Sequence, residues 1–120
     1  MTRTIFTLTL LVGLLIQISC VEMDTSPHQI KYEVTVTNTN GGVGFASLTY
    51  SNESGGTSQE TKALLPWVKT FTAKKGAFLY ISAQNNYSGV ITTNIYVDGR
   101  IVKTSNSSGE FAIATANGSL

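Results

Sequence analysis

An antiparallel two-sheet β-sandwich of immunoglobulin-like type is the fold this sequence predicts from residue 30 onward, built of seven or eight short strands, with a small barrel as the alternative. Three observations predict it. Apolar and polar residues alternate at period two through much of the chain. Clusters of Asn, Gly, Ser and Asp interrupt that alternation at regular spacing. After the N-terminal segment no helical period occurs, and threonine, serine and β-branched residues dominate.

The elements follow in order. Ile30, Tyr32, Val34 and Val36 face one way and Lys31, Glu33, Thr35 and Thr37 the other, which is a strand with one wet face. Residues 38–42 form a turn. Residues 45–51 make a second strand, with Ala46, Leu48 and Tyr50 in phase, and 52–56 turn the chain again. Residues 59–64 predict a short third strand. Pro66 has no N–H to give a ladder and marks an edge or a crossover between sheets. Residues 67–73 resume the alternation, with Trp67, Phe71 and Ala73 as core or seam residues. Residues 77–84 are apolar on both faces and belong at a sheet centre. Residues 85–89 read as a loop. Residues 90–97 and 100–104 flank Asp98-Gly99, a two-residue hairpin signal, because both positions accept positive φ. Residues 106–109 turn into a last strand over 110–115. There is no internal repeat and no second domain.

The N-terminus carries a different message. Arg3 is the only charge before Glu22, an apolar run follows from residue 5 to 16, and the run closes on Ser19 and Cys20, the single cysteine. A basic start, an apolar stretch and a small residue at a cut site describe a secretory signal. The run is 12 residues, against the roughly 20 that span a bilayer, so a retained membrane helix is not expected. A cysteine directly after the small residue predicts a lipoprotein signal over residues 1–19, with Cys20 the lipid attachment site and mature N-terminus. Gln17 departs from the apolar residue usual three positions earlier, and ordinary cleavage giving a secreted protein is the alternative. Residues 20–29 read as anchor and tether, and 30–120 as the sandwich domain. The expected location is the extracytoplasmic side of a bacterial envelope, in the periplasm or at the cell surface.

Composition narrows the function. The chain carries eight basic and seven acidic residues, and Arg3 leaves with the signal, so the mature charges cancel. That balance gives no electrostatic footprint for nucleic acid. Lys74-Lys75, the only basic pair, reads as a solvated turn. With one cysteine no internal disulfide can form. Catalysis finds little support, since the one histidine, His28, lies in the tether, the carboxylates are dispersed, and Asp98 is accounted for by its turn. No zinc, calcium or phosphate motif occurs, so no cofactor and no metal are expected. The Asn-x-Ser triplets at Asn52, Asn86, Asn106 and Asn117 match the glycosylation sequon, but in a bacterial lipoprotein they are what Asn- and Ser-rich turns produce.

The aromatic residues support a binding hypothesis. Tyr and Trp on a sheet face or loop can form a platform for a sugar or peptide. Trp67, Phe71 and Phe78 are read as packing residues. Tyr87, in a polar loop between Asn86 and Ser88, is the best candidate for an exposed contact, with Asn86 beside it and Tyr96 as a further candidate.

Five segments taken together, 32–34 (Tyr-Glu-Val), 46–50 (Ala-Ser-Leu-Thr-Tyr), 65–67 (Leu-Pro-Trp), 81–84 (Ile-Ser-Ala-Gln) and 95–103 (Ile-Tyr-Val-Asp-Gly-Arg-Ile-Val-Lys), resemble in order and spacing the extracytoplasmic domain of the mycobacterial membrane protein small (MmpS) family. The resemblance covers most of the mature chain. It implies a small β-sandwich and an accessory role beside large resistance–nodulation–division transporters that export lipids or siderophores. Family members usually carry a transmembrane helix and a cysteine pair in the domain. This chain has a lipoprotein-like signal instead, with Thr93 and Ala112 in roughly the cysteine regions.

The expected function is a lipid-anchored, non-enzymatic envelope lipoprotein that binds a protein partner in an envelope or transport complex. The alternative is a secreted or surface-displayed module that binds a carbohydrate or small ligand.

Overall fold

Two four-stranded antiparallel sheets pack face to face in a computed structural model that describes residues 26–37, 39 and 41–120. The predicted signal, the predicted lipid site Cys20 and the first part of the predicted tether lie outside the described residues. The strands are β1 (His28–Thr37), β2 (Phe45–Ser51), β3 (Thr57–Leu64), β4 (Trp67–Ala73), β5 (Phe78–Asn85), β6 (Val90–Val97), β7 (Arg100–Ser108) and β8 (Ile113–Ser119). Sheet A runs β4-β1-β6-β7 and sheet B runs β3-β2-β5-β8. Pairing of β1 with β4 in one sheet and of β2 with β5 in the other is the core arrangement of an immunoglobulin-like sandwich. The β6–β7 hairpin occupies the far side of β1. Among the described residues no helix is long and apolar enough to cross a membrane.

Period two places the core. Ile30, Tyr32 and Val34 from β1 meet Ala46, Leu48 and Tyr50 from β2, with Ile81 from β5 and Ile95 from β6, and all are buried. At one end Tyr32 packs edge-on against Phe71 (centroids 5.2 Å) and Tyr50 lies tilted against Trp67 (5.0 Å). Such rings contribute both large apolar area and directional contacts. Pro66 joins β3 to β4, which lie in different sheets, as its missing N–H predicts. Asp98 and Gly99 have φ of 50° and 82°, the left-handed pair that a two-residue hairpin requires. Gly44 is needed for another reason, since a Cβ there would lie 2.2 Å from Val36 Cγ1.

Several boundaries differ from the sequence reading. β1 begins at His28 rather than residue 30, so His28 and Gln29 belong to the sheet and not to the tether. β7 runs to Ser108, because Asn106 to Ser108 pair with Thr92 to Val90 and the ladder overrides their turn chemistry. The last strand is 113–119 rather than 110–115. β5 is internal to sheet B, as expected, but Phe78 is not a packing residue, being 59% exposed on the outer face and stacked with Tyr80.

Candidate functional site

A single buried side chain organises the loops at one end of sheet B. Asn85, the last residue of β5, is fully buried. Its Nδ2 donates to the carbonyls of Gly89 (3.4 Å) and Gly109 (3.2 Å), and its Oδ1 accepts from Tyr87 N (3.3 Å). Its own backbone accepts from Phe111 N (2.7 Å) and donates to Ala112 O (2.8 Å). A buried amide with donors and acceptor all engaged is rigid, because each alternative leaves a polar group unpaired in a low-dielectric site. The loops over 86–89 and 109–112 are thereby pinned to each other.

These loops present aromatic rings outward. Tyr87 is 49% exposed and lies edge-on to Phe45 (centroids 6.0 Å, 61°). Register continues the row: Leu64 of β3 pairs with Phe45 of β2, and Asn86 N donates to Phe45 O. Phe111 follows on the far side of β5, with Ile113 beside it in β8, and Leu64, Phe111 and Ile113 are all more than half exposed. An apolar and aromatic row therefore crosses one end of the outer face of sheet B, with members on β2, β3 and β8 and on the loops that follow β5 and precede β8. Its polar members are Asn86, whose Oδ1 accepts from Ser47 Oγ (3.5 Å), and Gln84, whose Nε2 donates to Phe111 O (3.4 Å). Phe111 has φ of 65°, a conformation that large side chains avoid, and it holds the ring in solvent.

The three candidate contact residues do not come together. Tyr87 and Asn86 share this row. Tyr96 lies on the outer face of sheet A, where its hydroxyl donates to Glu33 Oε1 (3.0 Å) and Lys31 Nζ sits 4.0 Å from its ring centroid. Glu33 Oε1 also accepts from Asn94 Nδ2, and Asn94 Oδ1 accepts from Thr104 Oγ1 (2.6 Å). The carboxylate accepting the phenol proton raises the Tyr96 pKa, with a further upward contribution from desolvation. That network links β1, β6 and β7 across the outer face of sheet A. No sequence motif marks the row residues Leu64 and Ile113, and Phe45 carries only a weak signal. Only the outward phase of Phe45 against Ala46, Leu48 and Tyr50 signalled any of them.

Chemistry-bearing groups elsewhere have structural partners. His28 Nδ1 donates to Asp98 Oδ2 (2.7 Å) and Gln29 N to Asp98 Oδ1 (2.9 Å), tying the start of β1 to the β6–β7 turn. Both bonds hold the exposed Asp98 carboxyl below its ordinary range, the one from His28 contributing most. Asn52, one of the sequon residues, accepts from Ser54 and Gly56 N within its own turn. Among the described residues no group of three or more His, Cys, Asp or Glu could hold a metal ion.

The fold and this surface define a β-sandwich with an exposed aromatic row. In comparisons with known proteins, no family model and no curated protein matches this chain.

Proposed function

We propose that this protein is a non-enzymatic, protein-binding β-sandwich held on the extracytoplasmic side of a bacterial envelope by lipid on Cys20. The observation that carries the reading is the row of Leu64, Phe45, Tyr87, Phe111 and Ile113, an exposed apolar surface fixed from beneath by Asn85. Contiguous exposed apolar surface with polar margins marks an interaction site. Aromatic anchors of low side-chain entropy contribute most to such interfaces. The surface is a broad face rather than a cleft, which suits a protein better than a small molecule. The MmpS-like pattern of segments supports an envelope or transport complex as the partner. The test is a photo-reactive amino acid at position 87 in the full chain, expressed in bacterial cells alongside alkyne fatty acid labelling of Cys20. One cross-linked partner, lost on Phe111→Ser, and label lost on Cys20→Ala are expected. Soluble unlabelled protein with no cross-link would reject the reading.

A second reading rests on one observation. The Phe45–Tyr87 pair has a planar amide, Asn86, beside it, and rings with adjacent amides suit a sugar face. Glycan-array binding lost on Tyr87→Ala would favour a carbohydrate module.

A further inference from the structure

The four sheet edges are not alike. β3 has a bulge opposite Ala46–Leu48 and sets Glu60 opposite the buried Leu48. β4 sets Lys69 opposite the buried Tyr32. β7 has a bulge opposite Ile95–Tyr96 and sets Lys103 opposite the buried Ile95. Bulges and inward-pointing charges are devices that keep another strand from adding to an edge. β8 has neither. Its seven residues, Ile-Ala-Thr-Ala-Asn-Gly-Ser, carry no charge and no proline, and they pair with β5 in unbroken register.

The hydrogen-bond parity of β8 is fixed by its flanks. Asn85 N donates to Ala112 O, and Leu120 N donates to Ala77 O. In an antiparallel ladder the bonded residues alternate, so Ala114, Ala116 and Gly118 bond to β5. Ile113, Thr115 and Asn117 turn their N–H and C=O groups to the open edge.

A cavity opens beside this edge. The inward row of β8 is Ala114, Ala116, Gly118, and the absence of a side chain at Gly118 leaves space beside Leu79. The result is a cavity of about 180 Å³ between β7 and β8, lined by apolar Leu79, Val97, Val102 and Leu120, with Lys103 and Gly118. The Lys103 stem lies over Gly118, where a Cβ would be 3.2 Å from its Cε. Among the described residues Lys103 has no acidic partner, the only ion pair there being His28–Asp98. An apolar cavity of roughly 150 Å³ accepts a benzene ring.

We propose that β8 accepts an extended strand from a protein partner, one apolar side chain of which fills the cavity between β7 and β8, next to an acidic residue set against Lys103. Strand addition gains affinity from main-chain bonds and specificity from alternate side chains in pockets. A single strand suits this side better than a second sandwich, because the neighbouring edge β7 is guarded. The edge shares only Ile113 with the outer-face row, and the cavity and the Thr115 and Asn117 amides belong to the edge alone, so the two proposals fail separately.

The test is NMR titration of the full chain in detergent micelles. The probe is a synthetic peptide of threonines with one central phenylalanine and a glutamate two residues away. Controls are a copy with lysine for glutamate and a copy N-methylated at alternate residues. We expect saturable shifts of the Ile113, Thr115 and Asn117 amides, roughly tenfold weaker binding of the lysine copy and none of the N-methylated one. Asn117→Pro removes an edge N–H, and Gly118→Val fills the cavity. Each should weaken binding by at least roughly tenfold with the far-UV spectrum unchanged. Absence of shifts at millimolar peptide overturns the proposal, and so does equal binding of the N-methylated copy. Shifts confined to Tyr87 and Phe111 overturn it while leaving the sheet-face reading intact. A doubled mass with protection of the Thr115 and Asn117 amides would assign the edge to a second copy instead, and also overturns it.

Discussion

The hydroxyl of Tyr32, on β1 of sheet A, lies 2.7 Å from Ser51 Oγ, on β2 of sheet B, and both residues are buried. Ser51 Oγ gives its one proton to Phe78 O (3.0 Å), so Tyr32 is the donor between the two hydroxyls. Tyr80 N donates to both oxygens. The sheets are joined here by a polar cluster inside an aromatic corner. Tyr32→Phe removes the Tyr32 bonds to Ser51 Oγ and Tyr80 N, each of which keeps another partner, and should cost about 1 kcal/mol in urea unfolding. The cluster also sets a pH dependence. Burial raises the Tyr32 pKa above its ordinary 10.0, against the lowering effect of its hydrogen bonds to Ser51 and Tyr80. A raised folded-state pKa means stability is fully present below pH 10 and is lost as pH rises through the folded value. Urea midpoints measured upward from pH 9 should fall for the native protein and fall less steeply for Tyr32→Phe.

Thr93 gives the opposite expectation. It is fully buried on β6, and its Oγ1 has no hydrogen-bond partner among the described residues. A buried hydroxyl without a partner costs free energy that an apolar group of like shape does not. Thr93→Val should therefore stabilise the domain by about 1 kcal/mol, read as a higher urea midpoint at unchanged slope. A lower midpoint would show that Oγ1 is satisfied by a bound water.

Most of the fold was legible because its strands alternate strongly. β1 carries bulky apolar residues at every second position from Ile30 to Val36, β2 and β6 carry them at most of their inward positions, β4 places Trp67 and Phe71 in phase, and the Asp98-Gly99 turn names its own conformation. Sequence and structure part where that signal weakens. β8 turns only Ala114, Ala116 and Gly118 inward, residues that carry little hydrophobic contrast, so the sequence alone draws the last strand toward Phe111. Phe111 is a turn residue instead. Phe78 and Leu79 gave an apolar pair with no indication of which face was wet, and the larger one is outside. The candidate surface was only partly legible. Tyr87 and Asn86 stood out in a polar loop, but Leu64, Phe45 and Ile113 lie far apart in sequence and become neighbours only through the order β3-β2-β5-β8.

Asn85 should be the least replaceable polar residue of the candidate site. Its Nδ2 donates to two carbonyls from different loops. Asn85→Asp keeps shape but replaces that donor by a buried acceptor facing two acceptors. We expect a loss of about 2–4 kcal/mol, larger than for Asn85→Ala, which removes the conflict along with the bonds. Thermal unfolding of both variants gives the order, and a milder effect of Asp than of Ala would mean that the carbonyls are bonded by water. Faster amide exchange at Tyr87 and Phe111 in either variant would show that Asn85 positions the surface.

Phe111 separates stability from binding. Its φ of 65° is a conformation glycine adopts without strain, and the exposed ring contributes little to the core. Phe111→Gly relieves the backbone while adding chain entropy to the unfolded state, and these effects, each about 1 kcal/mol, nearly cancel. The urea midpoint should stay close to that of the native protein. Cross-linking from position 87 to the partner should nevertheless fall sharply, because one end of the aromatic row has been removed. If stability and cross-linking are both unchanged, Phe111 stands outside the contact surface, and the interface narrows to Phe45, Leu64 and Tyr87. If stability drops by more than about 1 kcal/mol, the ring is packing against the sheet rather than waiting for a partner.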